Sequence, residues 1–195
     1  MSSQVADTTY AILLEDGANN TIYSNNINWN ATGSIKDSYG VYLFITSGNY
    51  GNNNITGNNL SIYSQSSTGS GFYLDSYGTS NSNTIQSNTI NINASTGYGV
   101  LLFNFGTLMN SNTIRSNTIN VNASYGYGVY LSGSGTSNSN TIYNQTINVY
   151  SSASASALRS HGVYLSNADN SNISLLRINA TAPSAYASDV YLSFG

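Results

Sequence analysis

The stretch "SNTIQSNTININASTGYG", Ser82–Gly99, returns as "SNTIRSNTINVNASYGYG", Ser111–Gly128, 29 residues later and with three of its eighteen positions changed. A chain that writes one line twice is built from stacked units, because self-similarity at a fixed period of 20–50 residues marks repeat architectures. Working outward, the string "GVYL" anchors further copies at Gly40, Gly71, Gly99, Gly128 and Gly162. Ala11 ("AILL") and Asp189 ("DVYL") extend the series, with spacings of 29, 31, 28, 29, 34 and 27 residues. The variation falls just before each "GVYL", so loops are expected there.

Aligned on this anchor, the apolar residues fall into columns. One reads Ile12, Val41, Phe72, Val100, Val129, Val163, Val190, and two residues on comes Leu14, Leu43, Leu74, Leu102, Leu131, Leu165, Leu192. A third holds Ile22, Ile55, Ile85, Ile114, Ile142 and Ile173. The last two hold Ile27, Leu60, Ile90, Ile119, Ile147, Ile178 and Trp29, Ile62, Ile92, Val121, Val149, Ala180. Spacing of two means strands with one buried face, and no segment carries the 3.6-residue period of a helix. Each repeat therefore holds about three short strands, "GVYL", "NTI" and "TINVN", with Asn, Ser and Gly at the corners. One repeat cannot bury its own apolar residues, whereas stacked repeats can.

These features predict an all-β chain, a right-handed parallel β-helix of about six coils. Residues 1–10 form a strand or arm and 11–195 one repeat domain. A leucine-rich repeat can share the period, but it needs L-x-x-L-x-L and usually a helical return. Here the slots are mostly Ile and Val.

The composition narrows function. Charged residues make up 6% of the chain and the net charge is −3, which argues against nucleic acid or an anionic membrane as partner. Cysteine is absent, excluding disulfides and thiolate metal sites. No run approaches a membrane span, and "MSSQVADTTY" is not a secretion leader. A surface kept soluble by Asn and Ser, which fill a third of the positions, suits an exported or self-assembling protein.

The segment "GVYLSGSGTSNSNTIYNQTINV", Gly128–Val149, resembles the β-helix repeats shared by pectate lyases, alginate epimerases and carbohydrate-binding-and-hydrolysing domains. It is closest in style to a periplasmic copper-binding protein of nitrous oxide reductase maturation and to archaeal surface proteins. The resemblance runs from about Ala11 to Gly195 and implies the fold. The chemistry of those relatives is not carried over, because one His and no Cys make a transition-metal site improbable.

Nor do the acids assemble a lyase-type Ca²⁺ site, which needs several carboxylates among six to eight oxygens. Glu15 and Asp75 share the slot after the "GVYL" Leu, two coils apart across Phe44, and read as single exposed acids. Lys36 and Asp37 fall in a loop, Arg159 and His161 in a loop or at its edge. Arg115 reads as solvent-facing. His161 takes a place held by Tyr39, Tyr98 and Tyr127, as a stacked aromatic stand-in. Asn20, Asn54, Asn83, Asn112, Asn140 and Asn172 read as a corner amide ladder.

Between the inward Val and Leu of "GVYL" lies an outward column, Leu13, Tyr42, Tyr73, Leu101, Tyr130, Tyr164, Tyr191. Its tyrosines could stack on sugar rings, on another copy, or simply on one another. Among the N-x-S/T sequons, Asn30, Asn93 and Asn122 recur in register and are the glycosylation candidates. Thr files suggest ice binding as a third possibility. Neither terminal stretch offers a capping helix, which points to copies stacking end to end or to a segment of a longer solenoid. The expectation is a non-enzymatic, cofactor-free structural solenoid of the cell surface or extracellular space that associates with itself. The alternative is a polysaccharide-binding or polysaccharide-processing module.

Overall fold

The computed structural model describes residues 8–32, 37–106, 108–133, 139–151, 159–167, 170–182 and 186–193. Among these residues lie nineteen strands and no helix. The strands pair in parallel with the equivalent strands of neighbouring coils, Thr89 opposite Thr118 and Thr113 opposite Thr84. The chain is a β-solenoid of about six turns. Its walls are a ten-stranded, a six-stranded and a three-stranded sheet.

The aliphatic columns stand as continuous internal rows. Ile12, Val41, Phe72, Val100, Val129, Val163 and Val190 are paired in succession. So are Ile22, Ile55, Ile85, Ile114, Ile142 and Ile173. Central members such as Val100, Ile119 and Ile142 are wholly buried. Burying a side chain of this kind contributes about 1.5–3 kcal/mol, and each is covered by its own file above and below. A file of glycines, Gly40, Gly71, Gly99, Gly128 and Gly162, runs beside the Val row, where the coil backbone passes close to the Ile row opposite.

The coil differs from three separate short strands. In three coils the "TINVN" segment runs without a break into the next "GVYL", giving strands Asn59–Ser76, Thr89–Asn104 and Thr118–Gly133. The short linkers "AST" and "ASY" keep extended backbone, so no loop forms there. The added residues in the Asn59–Ser76 strand are absorbed by a register shift opposite Ala94 and Thr96. A small third sheet, Asn49–Gly51, Thr79–Asn81 and Leu108–Asn110, precedes the "NTI" strands. Asp37, Arg159 and His161 lie in strands rather than loops, at Asp37–Ile45 and Arg159–Ser166. Residues 1–7 of the N-terminal arm and Lys36 lie outside the described residues.

The corners carry two buried amide ladders. Asn20, Asn53, Asn83, Asn112 and Asn140 form the first. The sequence reading had placed Asn54 and Asn172 in this ladder. They instead sit in the neighbouring Thr file, opposite Thr84 and Thr141. A second ladder, Asn25, Asn58, Asn88, Asn117 and Gln145, escaped the sequence reading altogether. Each rung works alike. The backbone N–H and the Nδ2 of Asn88 both donate to Asn117 Oδ1, at 2.9 and 3.0 Å. The Nδ2 of Asn88 also donates back to the carbonyl of Ile55 at 3.0 Å. The ladder amides thus satisfy one another from coil to coil. The residue before a rung takes a left-handed backbone, as at Ser82, Ser87, Ser111 and Ser116 with φ between 54° and 57°, which turns the chain sharply at the corner.

Candidate ligand-binding surfaces

Two outward faces of the ten-stranded sheet carry the residues with recognition chemistry. The first is the "GVYL" face. Tyr42 stacks on Tyr73 with ring centroids 5.0 Å apart and planes within 12°. Tyr130 stacks on Tyr164 at 4.6 Å and Tyr164 on Tyr191 at 5.1 Å. Leu101, 8% exposed, interrupts the file. A parallel file beside it includes Tyr39, Tyr98, Tyr127 and His161. Tyr98 and Tyr127 are stacked at 5.0 Å, and His161 packs against Tyr127, Tyr164 and Tyr191 at 5.1–5.6 Å. The expected stand-in role of His161 is what the geometry shows. These rings lie against one another, and Tyr42, Tyr73, Tyr130 and Tyr164 are half-buried. Only Tyr191, in the last described coil, is exposed, at 38%.

Asp75 stands within this aromatic surface, and the reading of it as an exposed acid is overturned. It is 7% exposed, flanked by Phe44 and Phe103 in its own file. Tyr42 donates its hydroxyl to Asp75 Oδ2 at 3.2 Å, while Oδ1 is buried without a partner among the described residues. Burial raises the carboxyl pKa, and hydrogen bonds from Tyr42 and Tyr73 only partly offset it. Burial, reinforced by the Asp75 charge, pushes the Tyr42 and Tyr73 phenols well above their ordinary range.

A raised folded-state pKa gives a definite pH dependence. The protonated group's contribution is fully present below the ordinary value of 3.8 and is lost as pH rises through the folded value. Asp75 therefore weakens the fold near neutrality. The Asp75→Asn variant should melt higher than wild type at pH 7, by about 2–4 °C. Below pH 4 the difference should vanish. Thermal melts across pH check this, and equal melting temperatures at pH 7 would refute it.

Arg115 does not simply face solvent. Its Nε donates to Gln86 and its Nη1 donates to the Tyr143 hydroxyl at 2.9 Å, tying three coils. The Thr files run Thr84, Thr113, Thr141 and Thr89, Thr118, Thr146. Asn54 and Asn172 flank the first, Asn59 and Arg177 the second. Among the described residues no three His, Cys, Asp or Glu side chains gather as a metal site, and no helix is long and apolar enough to cross a membrane.

The second face is the outer side of the "TINVN" strands. One file reads Asn28, Ser61, Asn91, Asn120, Asn148, Asn179, and the next reads Asn30, Tyr63, Asn93, Asn122, Tyr150, Thr181. All three candidate glycosylation asparagines thus stand in one outward file and are exposed. Asn93 and Asn122 lie directly opposite each other in adjacent coils, inside continuous strands rather than at strand ends.

No protein-family model, curated protein or solved structure matches the chain. Its function is therefore read from its own surfaces. Tyr63 and Tyr150 went unnoticed in the sequence because each is a lone departure from an asparagine file. Their common register could have flagged them.

Proposed function

We propose that the protein is a structural β-solenoid of the cell surface or extracellular space, in which copies join end to end. The carrying observation is the apolar row of the last described coil. Val163 and Leu165 are 0% and 4% exposed, whereas their file neighbours Val190 and Leu192 are 41% and 48% exposed. Val190 and Leu192 bear the same residue types at the same register, with nothing packed over them among the described residues. The opposite face, strand Thr8–Glu15, presents half-buried Ile12 and Leu14 at the same file positions. Seating one face on the other would continue the two inward rows of the "GVYL" strands. Such a contact is heterologous and does not close, so it generates a filament. Burying the part of Val190 and Leu192 that is still exposed would contribute about 1 kcal/mol each, and the net charge of −3 offers little repulsion between copies.

Sedimentation velocity over a concentration series, with electron microscopy of the concentrated sample, tests this. Wild type should form species that lengthen with concentration, and Val190→Lys/Leu192→Lys should remain monomeric with an unchanged fold. Wild type that stays monomeric throughout, or a double variant that assembles as wild type does, would sink the proposal.

A further inference from the structure

We propose that the outer face of the "TINVN" strands is a binding groove for an extended, uncharged polysaccharide lying along the solenoid axis between Tyr63 and Tyr150. This surface is distinct from the coil faces invoked for assembly and from the stacked "GVYL" tyrosines.

The groove has a volume of about 560 Å³, and its walls include Asn91, Asn93, Asn120, Asn122, Tyr63 and Tyr150. Its floor is an amide chain. Asn120 Nδ2 donates to Asn91 Oδ1 at 2.8 Å, and Asn148 Nδ2 donates to Asn120 Oδ1 at 2.9 Å. A carboxamide has two N–H groups and two carbonyl lone pairs. Each of these bonds uses one N–H of its donor and one lone pair of its acceptor. Asn120 therefore keeps a donor and an acceptor for a ligand, side by side, which is the pattern that vicinal hydroxyls require.

The tyrosines differ in kind from those of the "GVYL" face. Tyr63 and Tyr150 are 38% and 48% exposed, and among the described residues neither ring packs on another aromatic ring. Neither face is taken up by a second ring. Sugar rings present flat C–H faces that lie on such rings, while their equatorial hydroxyls point sideways to hydrogen-bonding groups. Register places Tyr63 opposite Asn93, Asn93 opposite Asn122 and Asn122 opposite Tyr150. The two rings are thus three coil spacings apart, about 14 Å. An extended chain of sugars that advances about one coil spacing per ring would meet a tyrosine at each end and amides between.

Charge selects the polymer class. Among the described residues no ionisable group other than the two phenols lines the groove, and the protein is net negative. A polyuronate would find no cation between Tyr63 and Tyr150 to replace its hydration, the Arg177 of this face standing beyond Tyr150 in the last coil's strand, so the fit is to a neutral glycan.

Affinity electrophoresis in gels containing hydroxyethyl cellulose, galactomannan, pectate or alginate tests the inference. At least one neutral polymer should retard the wild-type protein, with little dependence on salt. Tyr63→Ala/Tyr150→Ala should weaken that binding by about tenfold or more. Asn120→Ala should weaken it severalfold, and Tyr164→Ala should leave it unchanged. All four side chains point outward, and matching melting curves would establish that the variants fold. Retardation only by the anionic polymers, no retardation by any polymer, or a double tyrosine variant that binds as wild type does would each overturn the proposal. So would glycans attached at Asn93 or Asn122 in the native protein, detected by intact mass, because they would fill the groove.

Discussion

Gly128→Ala should destabilise the solenoid by at least about 3 kcal/mol and, in a repeat stack, disorder the coils on both sides. A Cβ at this position would lie 2.3 Å from Ile147 Cγ2 and 2.5 Å from the Gly162 carbonyl oxygen. Neither neighbour can yield. Ile147 is wholly buried, and the Gly162 oxygen belongs to the next coil's backbone. The same clash recurs at Gly99, against Ile119 Cγ2 at 2.2 Å and the Gly128 oxygen at 2.6 Å. Here glycine is needed for close approach and not for an unusual backbone angle. The file ends at Asp189, which is exposed because no described coil lies beyond it. Urea denaturation checks the expectation, with Thr118→Ser on the outer face as the neutral comparison. A loss below 1 kcal/mol for Gly128→Ala would show that the stack can open at this point.

Asn117→Leu is nearly isosteric and should nevertheless cost about 3–5 kcal/mol. The asparagine is 1% exposed. Its Oδ1 accepts from the backbone N–H and the Nδ2 of Asn88, and its own Nδ2 donates to the Ile85 carbonyl at 3.0 Å and to Gln145 Oε1 at 3.2 Å. Leucine removes all four bonds. It strands two donors on Asn88 and reduces the partners of two acceptors, in a place water does not reach. Each stranded buried group costs about 1–3 kcal/mol, which added apolar volume cannot offset. Denaturant melts give the total. Hydrogen exchange gives the location, because the Asn88 amide should lose protection while amides of the first coil keep theirs. The outward Asn93→Leu serves as comparison and should be close to neutral. If both substitutions cost the same, the ladder carries no special share of the stability.

The aliphatic rows were legible in the sequence because period-two burial is a local rule and the repeat states it several times over. Val41, Phe72, Val100 and Val129 could be aligned with no knowledge of the fold. The corner ladders were legible only in part. In "GNNNIT", Gly51–Thr56, three consecutive asparagines compete for the rung, and only coil register chooses Asn53 over Asn54. The second ladder hid in plain view in "SNT", since its Asn88 and Asn117 precede a Thr in the same way as the first. Asp75 could not be read at all. Its burial depends on rings from neighbouring coils closing over it, and nothing in "YLDS", Tyr73–Ser76, records that. The same holds for the tyrosines. "GVYL" told which side Tyr130 faces, but not that its ring would lie flat on Tyr164 and so withhold its face from a ligand.

The corner amides all point one way. From Asn20 through Asn53, Asn83 and Asn112, each Nδ2 sends one N–H to the Oδ1 of the next higher-numbered coil, and each such Oδ1 accepts from the coil before it. The rod therefore has a sense, like an arrow. A fibre built by the head-to-tail contact proposed above would therefore be polar, its two tips chemically unlike and free to lengthen at different speeds.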